Sequence, residues 1–375
     1  MDRSTIEAIV HLIKVRRMRL ELLSANAQAE IHRPAERQFL SMSSEFSPSL
    51  SNFSCRLLSL TAGAILLSTL CVHAQQSEGV PPPWAYPVDP PGLVSPKDDG
   101  SLRHVPESEQ AFTLSQVRDG FVSPDWHPDA HPSMPEIVAH GRKPAVMACG
   151  YCHRAEGTGG PENASLAGQP AAYIVQQVLD FKSGARTTPL LERAPQKNML
   201  ALSKAVETKE IEEAAAYFSS LKLKKIIRVV ETDMAPKTEV RGWHFRDLKT
   251  GETEPLGQRI IEVPEDVEQF VSRDSRAHFI AYVPTGSIEK GKTLATTGDG
   301  GRTVQCTICH GPDLHGIGLI PAIAGRSPSY LVRQLYDFKH GIRAGIQAPL
   351  MKPTVEKLTE EDMVNLAAYA ASLEP

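Results

Sequence analysis

Two five-residue stretches carry the chemistry of this chain: Cys149-Gly150-Tyr151-Cys152-His153 and Cys306-Thr307-Ile308-Cys309-His310. Each reads C-x-x-C-H. Two thiols three positions apart reach the two vinyl groups of one porphyrin while the adjoining imidazole comes up beneath the iron, so the pattern predicts two covalently bound c-type haems. A bare C-x-x-C is shared with zinc sites and thioredoxin-like pairs. The histidine that completes both motifs sets them apart.

Histidine fills only one face of each iron, and the group on the other face decides between electron transfer and oxygen chemistry. Met199 lies beyond the first motif and Met351 beyond the second, each in what reads as the irregular stretch before a last helix. A lone methionine is ordinarily a packing residue. Matched positions in two repeats argue instead for ligation, with Cys149, Cys152, Cys306 and Cys309 binding the porphyrins and His153, Met199, His310 and Met351 binding the irons. Met363 falls inside the predicted terminal helix and reads as core. The second nitrogen of each imidazole needs a carbonyl to hold it. The Ile320-Pro321-Ala322 loop offers one, and Ala164 occupies the position that matches Pro321.

The repeat extends well beyond the cysteines. At an offset of 157 residues, Leu166-Ala167-Gly168 falls on Ile323-Ala324-Gly325, Tyr173 on Tyr330, Gln177 on Gln334, Asp180-Phe181-Lys182 on Asp337-Phe338-Lys339, and Arg186 on Arg343. Beyond those arginines the offset becomes 152, pairing Met199 with Met351. Such self-similarity marks duplicated units. Tyr173, Ile174, Gln177, Val178 and Phe181 recur at helical spacing, as do Ile211, Ala215, Phe218 and Leu221, so each copy reads as mainly α. Thr208 and Thr359 are the expected N-caps of the closing helices.

The chain has 375 residues, 41% apolar, with a net charge of −4. It is long enough for more than one packed unit, and its acidic balance argues against nucleic acid as a partner. Leu57 to Val72 is a nearly uninterrupted apolar run ending at Val72-His73-Ala74, which reads as the core and cleavage site of a signal peptide. A lipid anchor at Cys71 is the weaker reading, because Leu70 is bulky. Cleavage there exports the protein and leaves four cysteines, every one in a haem motif. The stretch before it either forms a basic amphipathic helix around Arg16, Arg17 and Arg19 or is untranslated, with the true start at Met42.

These residues together resemble the class I dihaem cytochromes c, specifically the cytochrome c4 family. The resemblance covers roughly residues 139–222 and 285–375. It rests on both C-x-x-C-H motifs, Leu166-Ala167-Gly168-Gln169, Ile323-Ala324-Gly325-Arg326, the Tyr…Gln…Asp-Phe-Lys helices and the two methionines. It implies two small helical folds, each wrapped around a haem, passing single electrons in the periplasm between a membrane complex or dehydrogenase and a terminal acceptor such as an oxidase. It also implies His153 and Met199 as the axial pair of one iron, and His310 and Met351 of the other.

The chain divides into five segments: a presequence over 1–74, a proline-rich extension over 75–138, a first haem domain over 139–222, a β-containing insert over 223–284 and a second haem domain over 285–375. The insert departs from the family, with strands expected at 226–230, 259–263 and 279–283 and a turn at Lys249-Thr250-Gly251-Glu252. It leaves open whether the two haem sites lie close together. The extension, with Trp84, Tyr86 and Trp126 as anchors, either drapes over the first haem domain or docks on a partner. His127, His131 and His140 are only a compositional hint of a metal. A soluble electron carrier is the leading expectation, with association at a membrane surface compatible with it. A haem subunit of a dehydrogenase or oxidase complex is the alternative, and a dihaem peroxidase a more distant one.

Overall fold

A computed structural model describes residues 79–375. The signal peptide, Met42, Cys55 and Cys71 lie outside the described residues. From Gly79 the proline-rich segment runs largely without regular structure, and Trp84 and Tyr86 pack on the second haem-motif half where the first was expected. Tyr86 is buried, its hydroxyl donating to Asp337 Oδ1 at 2.6 Å. Trp84 packs beside it on the core of the second haem-motif half. The segment then forms a ribbon of β1 (Leu102–Arg103) and β2 (Phe112–Thr113) and a short helix α1 (Leu114–Arg118), started by a capping box between Thr113 and Gln116. Trp126 closes a small cluster with Val105 and Val117, and its indole N–H donates to the Ser272 carbonyl at 2.7 Å. His127 faces Asp274 and His131 faces Asp125, each at 3.1 Å.

The first haem-motif half comprises α2 (Glu136–Ala139), α3 (Cys149–His153), α4 (Ala171–Ser183), α5 (Ala194–Ala205) and α6 (Thr208–Ser220). Ile174, Ile211, Ala215 and Phe218, spaced along the inner faces of α4 and α6, bury together. The N-cap of α6 is Glu207 and not Thr208. The Glu207 carboxylate accepts from the Glu210 backbone, and Glu210 reaches back to the Glu207 N–H, a carboxylate version of the usual Ser/Thr box.

The insert contains β3 (Ile227–Glu231), β4 (Met234–Pro236), β5 (Thr238–Val240), β6 (Phe245–Asp247), β7 (Thr253–Pro255), β8 (Ile261–Pro264), a helix α7 (Val267–Val271) and β9 (Phe279–Val283). Its central sheet has the order β3-β9-β8, with β9 parallel to β3 and antiparallel to β8. Strands β4 and β7 pair, as do β5 and β6, with Lys249-Thr250-Gly251-Glu252 turning the chain between β6 and β7. All three expected strands are present. Glu262 on β8 fastens the insert to the start of the long helix of the second haem-motif half, accepting from Ser327 Oγ at 2.7 Å and the Ser329 N–H at 3.1 Å.

That second half comprises α8 (Ser287–Thr297), α9 (Cys306–His310), α10 (Pro328–Lys339), α11 (Ala348–Val355) and α12 (Glu360–Ser372). Thr359 caps α12 through a box with Asp362, as expected. Helices α8 and α12 cross closely at Gly291, where only a hydrogen fits against the Asn365 carbonyl. Met363 lies on α12, 2% exposed within this core.

The two halves meet directly, through contacts that come in pairs related by the 157-residue offset. Thr187 N–H donates to the Ile342 carbonyl at 3.0 Å, and Ala344 N–H donates to the Ala185 carbonyl at 2.7 Å. Gln169 Nε2 donates to the Ala322 carbonyl at 2.8 Å, and Arg326 Nη1, at the matching position, donates to the Ser165 carbonyl at 2.9 Å. An interface whose contacts exchange in this way has two-fold character. The insert therefore flanks the junction and does not hold the halves apart.

Candidate haem-binding site

Both C-x-x-C-H motifs form single helical turns, α3 and α9, which place residues three and four apart on one face. The chain leaves each turn through a left-handed residue, Arg154 at φ 70° and Gly311 at φ 87°. Glycine accepts that backbone freely. Arginine does so under strain, and buries its guanidinium beside Glu162 at 3.4 Å. The reversal returns an N–H to each histidine carbonyl: Gly159 donates to His153 at 3.0 Å and Gly316 to His310 at 2.7 Å.

The same loops carry the carbonyls that orient the imidazoles. His153 Nδ1 donates to the Ala164 carbonyl at 2.8 Å, and His310 Nδ1 donates to the Pro321 carbonyl at 2.8 Å. The second nitrogen, Nε2, is thereby kept as the unprotonated donor a metal requires. Burial lowers the pKa of both imidazoles, against the pull of these carbonyls, and so reinforces the neutral form. Burial also pushes the Cys149 thiol up to about 12 and the Cys306 thiol up to about 11.

A continuous cavity of about 400 Å³ runs between the halves, and all eight residues singled out in the sequence line it. Met199 and Met351 reach it from α5 and α11. They sit on short helices and not in irregular chain, because Pro195 and Pro349 lie in the first turn, where a missing N–H costs nothing. The wall is largely apolar, with Ile174, Phe218, Leu335 and Leu366 among its residues.

Three buried guanidinium groups interrupt that apolar wall. Arg186 donates to Gln177 at 2.9 Å within its own half and to Tyr330 at 3.0 Å and Gln334 at 2.6 Å across the junction. Arg343 repeats the pattern in reverse, donating to Gln334 at 3.1 Å, Tyr173 at 2.7 Å and Gln177 at 2.6 Å. Arg326 donates to the carbonyls of Ser165, Ala167 and Ala322, and burial lowers its pKa to about 10. Among the described residues none of the three forms an ion pair with a carboxylate. Buried cations held only by neutral groups are costly unless an anion completes them. A haem brings carboxylates, so the donor set, the apolar wall and these arginines fit that group together. Arg186 and Arg343 are a matched pair in the sequence, but their exchange across the junction is not legible there, because a repeat does not state how its copies face each other.

The profile of the cytochrome c family matches residues 288–374. Cytochrome c-554(548) of Halomonas halodenitrificans is 39% identical over 70 residues, which are 18% of this chain and 84% of that protein. Cytochrome c4 of Pseudomonas aeruginosa is 25% identical over 240 residues, 63% of this chain and 88% of that protein. A protein of Stutzerimonas stutzeri described as a thiosulfate dehydrogenase electron acceptor is 24% identical over 237 residues, 62% of this chain and 82% of its own length. The chain belongs to the cytochrome c family, and its likeness within it is to cytochrome c4. Membership implies covalently bound c-type haem. Among the described residues no helix is long and apolar enough to cross a membrane.

Proposed function

We propose that this protein is an exported, periplasmic dihaem electron carrier. The observation that carries the reading is the matched pair of imidazoles, each on a C-x-x-C-H turn, each with Nδ1 tied to a loop carbonyl, and both facing one apolar cavity. Cys149 and Cys152 hold one haem and Cys306 and Cys309 the other. His153 with Met199 would hold one iron, and His310 with Met351 the other. When bound, each haem exchanges one electron by changing the oxidation state of its iron.

The chain's own residues set the conditions for that exchange. The thioethers of Met199 and Met351 are soft donors that favour reduced iron and raise its potential. A histidine and a methionine on each iron would leave no place for oxygen or peroxide, which favours a carrier over a peroxidase. Arg186, Arg326 and Arg343 would offer positive charge to haem carboxylates where the halves meet. The name of the Stutzerimonas relative supports a dehydrogenase as electron donor, and the expected partners are redox proteins, either free or in a complex. An optical redox titration tests the reading: two one-electron steps with low-spin spectra are expected, and a high-spin spectrum in the oxidised protein contradicts it.

A further inference from the structure

The β insert bears on the two C-x-x-C-H turns unequally. Arg273 of the insert lays its guanidinium on the Tyr151 ring, 3.6 Å from the ring centre, and donates to the Tyr151 carbonyl at 3.0 Å and the Val117 carbonyl at 3.2 Å. Its backbone is left-handed, φ 61°, a conformation that a residue other than glycine keeps only where its surroundings impose it. The side chain is half-buried and, among the described residues, forms no ion pair with a carboxylate. Its neighbour Asp274 turns away to His127 and Gln269. The Arg273 charge reaches the motif itself: burial raises the Cys152 thiol pKa, and Arg273 and Arg154 pull against that rise.

The other charges beside the first turn cancel. Arg154 pairs with Glu162 at 3.4 Å. Glu156 pairs with Lys224 and, at 3.4 Å, with Arg276, both from the insert, and Glu107 takes the other side of Arg276. In the second half the positions matching Arg154, Glu162 and Glu156 are Gly311, Leu319 and Asp313, and Asp313 is exposed with no ion pair among the described residues. Water reaches the two turns differently as well. Residues 154–161 are all buried, whereas of 311–318 only Gly311 and Leu314 are. An oxidised iron carries one more positive charge than a reduced one, so a fixed cation and the exclusion of water both disfavour oxidation. Both act at the first turn.

Resting on the haem reading above, we propose that Arg273 is an electrostatic tuning residue supplied by the insert: its unpaired charge on Tyr151 raises the potential of the iron held at His153 and leaves the iron held at His310 unaffected. The electron of a half-reduced chain is thereby drawn toward the first half. Lys224 and Arg276 support the effect by neutralising Glu156, the acidic position that stays uncompensated as Asp313 in the second half.

The test is a redox titration of the full haem-loaded chain followed by NMR, in which the backbone amides of Gly150 and Thr307, one in each turn, report the oxidation state of their own iron. At a fixed potential, Arg273→Met should raise the oxidised-to-reduced ratio at Gly150 by about threefold or more, equal to about 28 mV for a one-electron couple. At Thr307 the same change should alter the ratio by less than about 1.5-fold, because solvent screens the charge over that distance. Arg273→Gln, equally neutral but polar, should repeat the shift and keeps the test open where the methionine variant folds poorly. Arg273→Lys keeps the charge but loses the planar stack and the forked donors, and should leave the Gly150 ratio within about 1.5-fold of wild type. A purely structural role makes lysine and methionine act alike. An unchanged or lowered Gly150 ratio in both neutral variants, an equal shift at Thr307, or a lysine variant that matches the methionine one each overturn the proposal. A wild-type chain without two low-spin haems overturns the reading beneath it instead.

Discussion

Replacing Gly291 by alanine tests how tightly the second haem-motif half is held. A Cβ there would lie 1.9 Å from the Asn365 carbonyl oxygen, 2.6 Å from the carbonyl carbon and 2.8 Å from Tyr369 Cβ. Ordinary carbon contacts begin near 3.5 Å, so α8 and α12 must part by roughly 1.5 Å. Neither obstacle on Asn365 can rotate away, because both are backbone. Leu294 and Ala295 on α8 and Leu366, Ala367 and Ala370 on α12 are buried at this crossing, and several of them also line the cavity. Overpacking usually costs 1–3 kcal/mol, and a backbone obstacle places this change near the top, at about 3 kcal/mol. Gly184→Ala is the comparison: its φ is +82° but the space around it is open. Only the left-handed backbone is then strained, at about 1 kcal/mol. Guanidinium unfolding followed by far-UV circular dichroism and by haem absorbance measures both. The packing argument fails if Gly291→Ala lies within about 0.5 kcal/mol of wild type or no lower than Gly184→Ala.

Met351→Ala should abolish the low-spin signature of one haem and lower its potential by a sizeable part of the roughly 0.8 V range that axial ligands command. Met363→Ala should leave the spectrum intact and cost about 2–5 kcal/mol of stability, because that side chain is core. Burial raises the Asp337 pKa to about 6 in the folded chain, against the lowering effect of its bond from Tyr86. The folded state then binds the proton more tightly than the unfolded chain, so this group makes stability fall as pH rises from about 4 to about 6. Asp337→Asn should flatten that slope in urea unfolding curves, and an unchanged slope contradicts the assignment. Arg343→Met removes three hydrogen bonds, two of them across the junction, and should destabilise the protein by about 2–4 kcal/mol, with the Arg343→Met/Gln177→Met double change costing less than the sum of the two single changes. Full additivity in the double variant contradicts a shared network.

Much of the helical frame was legible because its determinants are local. Ile174, Phe181, Ile211 and Phe218 recur with the helical period and bury where that period places them. Asp362 beside Thr359 marks the start of α12. The carbonyl partners of the imidazoles were also legible, since Ala164 and Pro321 occupy one position of the repeat. Methionines on helices were not, because Pro195, Pro349 and Pro353 read as helix breakers although two of them sit in first turns. The Glu207 cap escaped notice because threonine is the commoner cap and stands next to it. The reciprocal arginines and the cover over Tyr151 depend on contacts such as Arg343 to Tyr173 and Arg273 to Tyr151, which link residues more than a hundred positions apart. No local period encodes such contacts.

The most direct test of the whole account is intact-mass spectrometry of the exported protein with peptide mapping. Two haem masses are predicted on the polypeptide, one on the peptide holding Cys149 and Cys152 and one on that holding Cys306 and Cys309. A chain carrying one haem or none, or with free thiols at either pair, contradicts it.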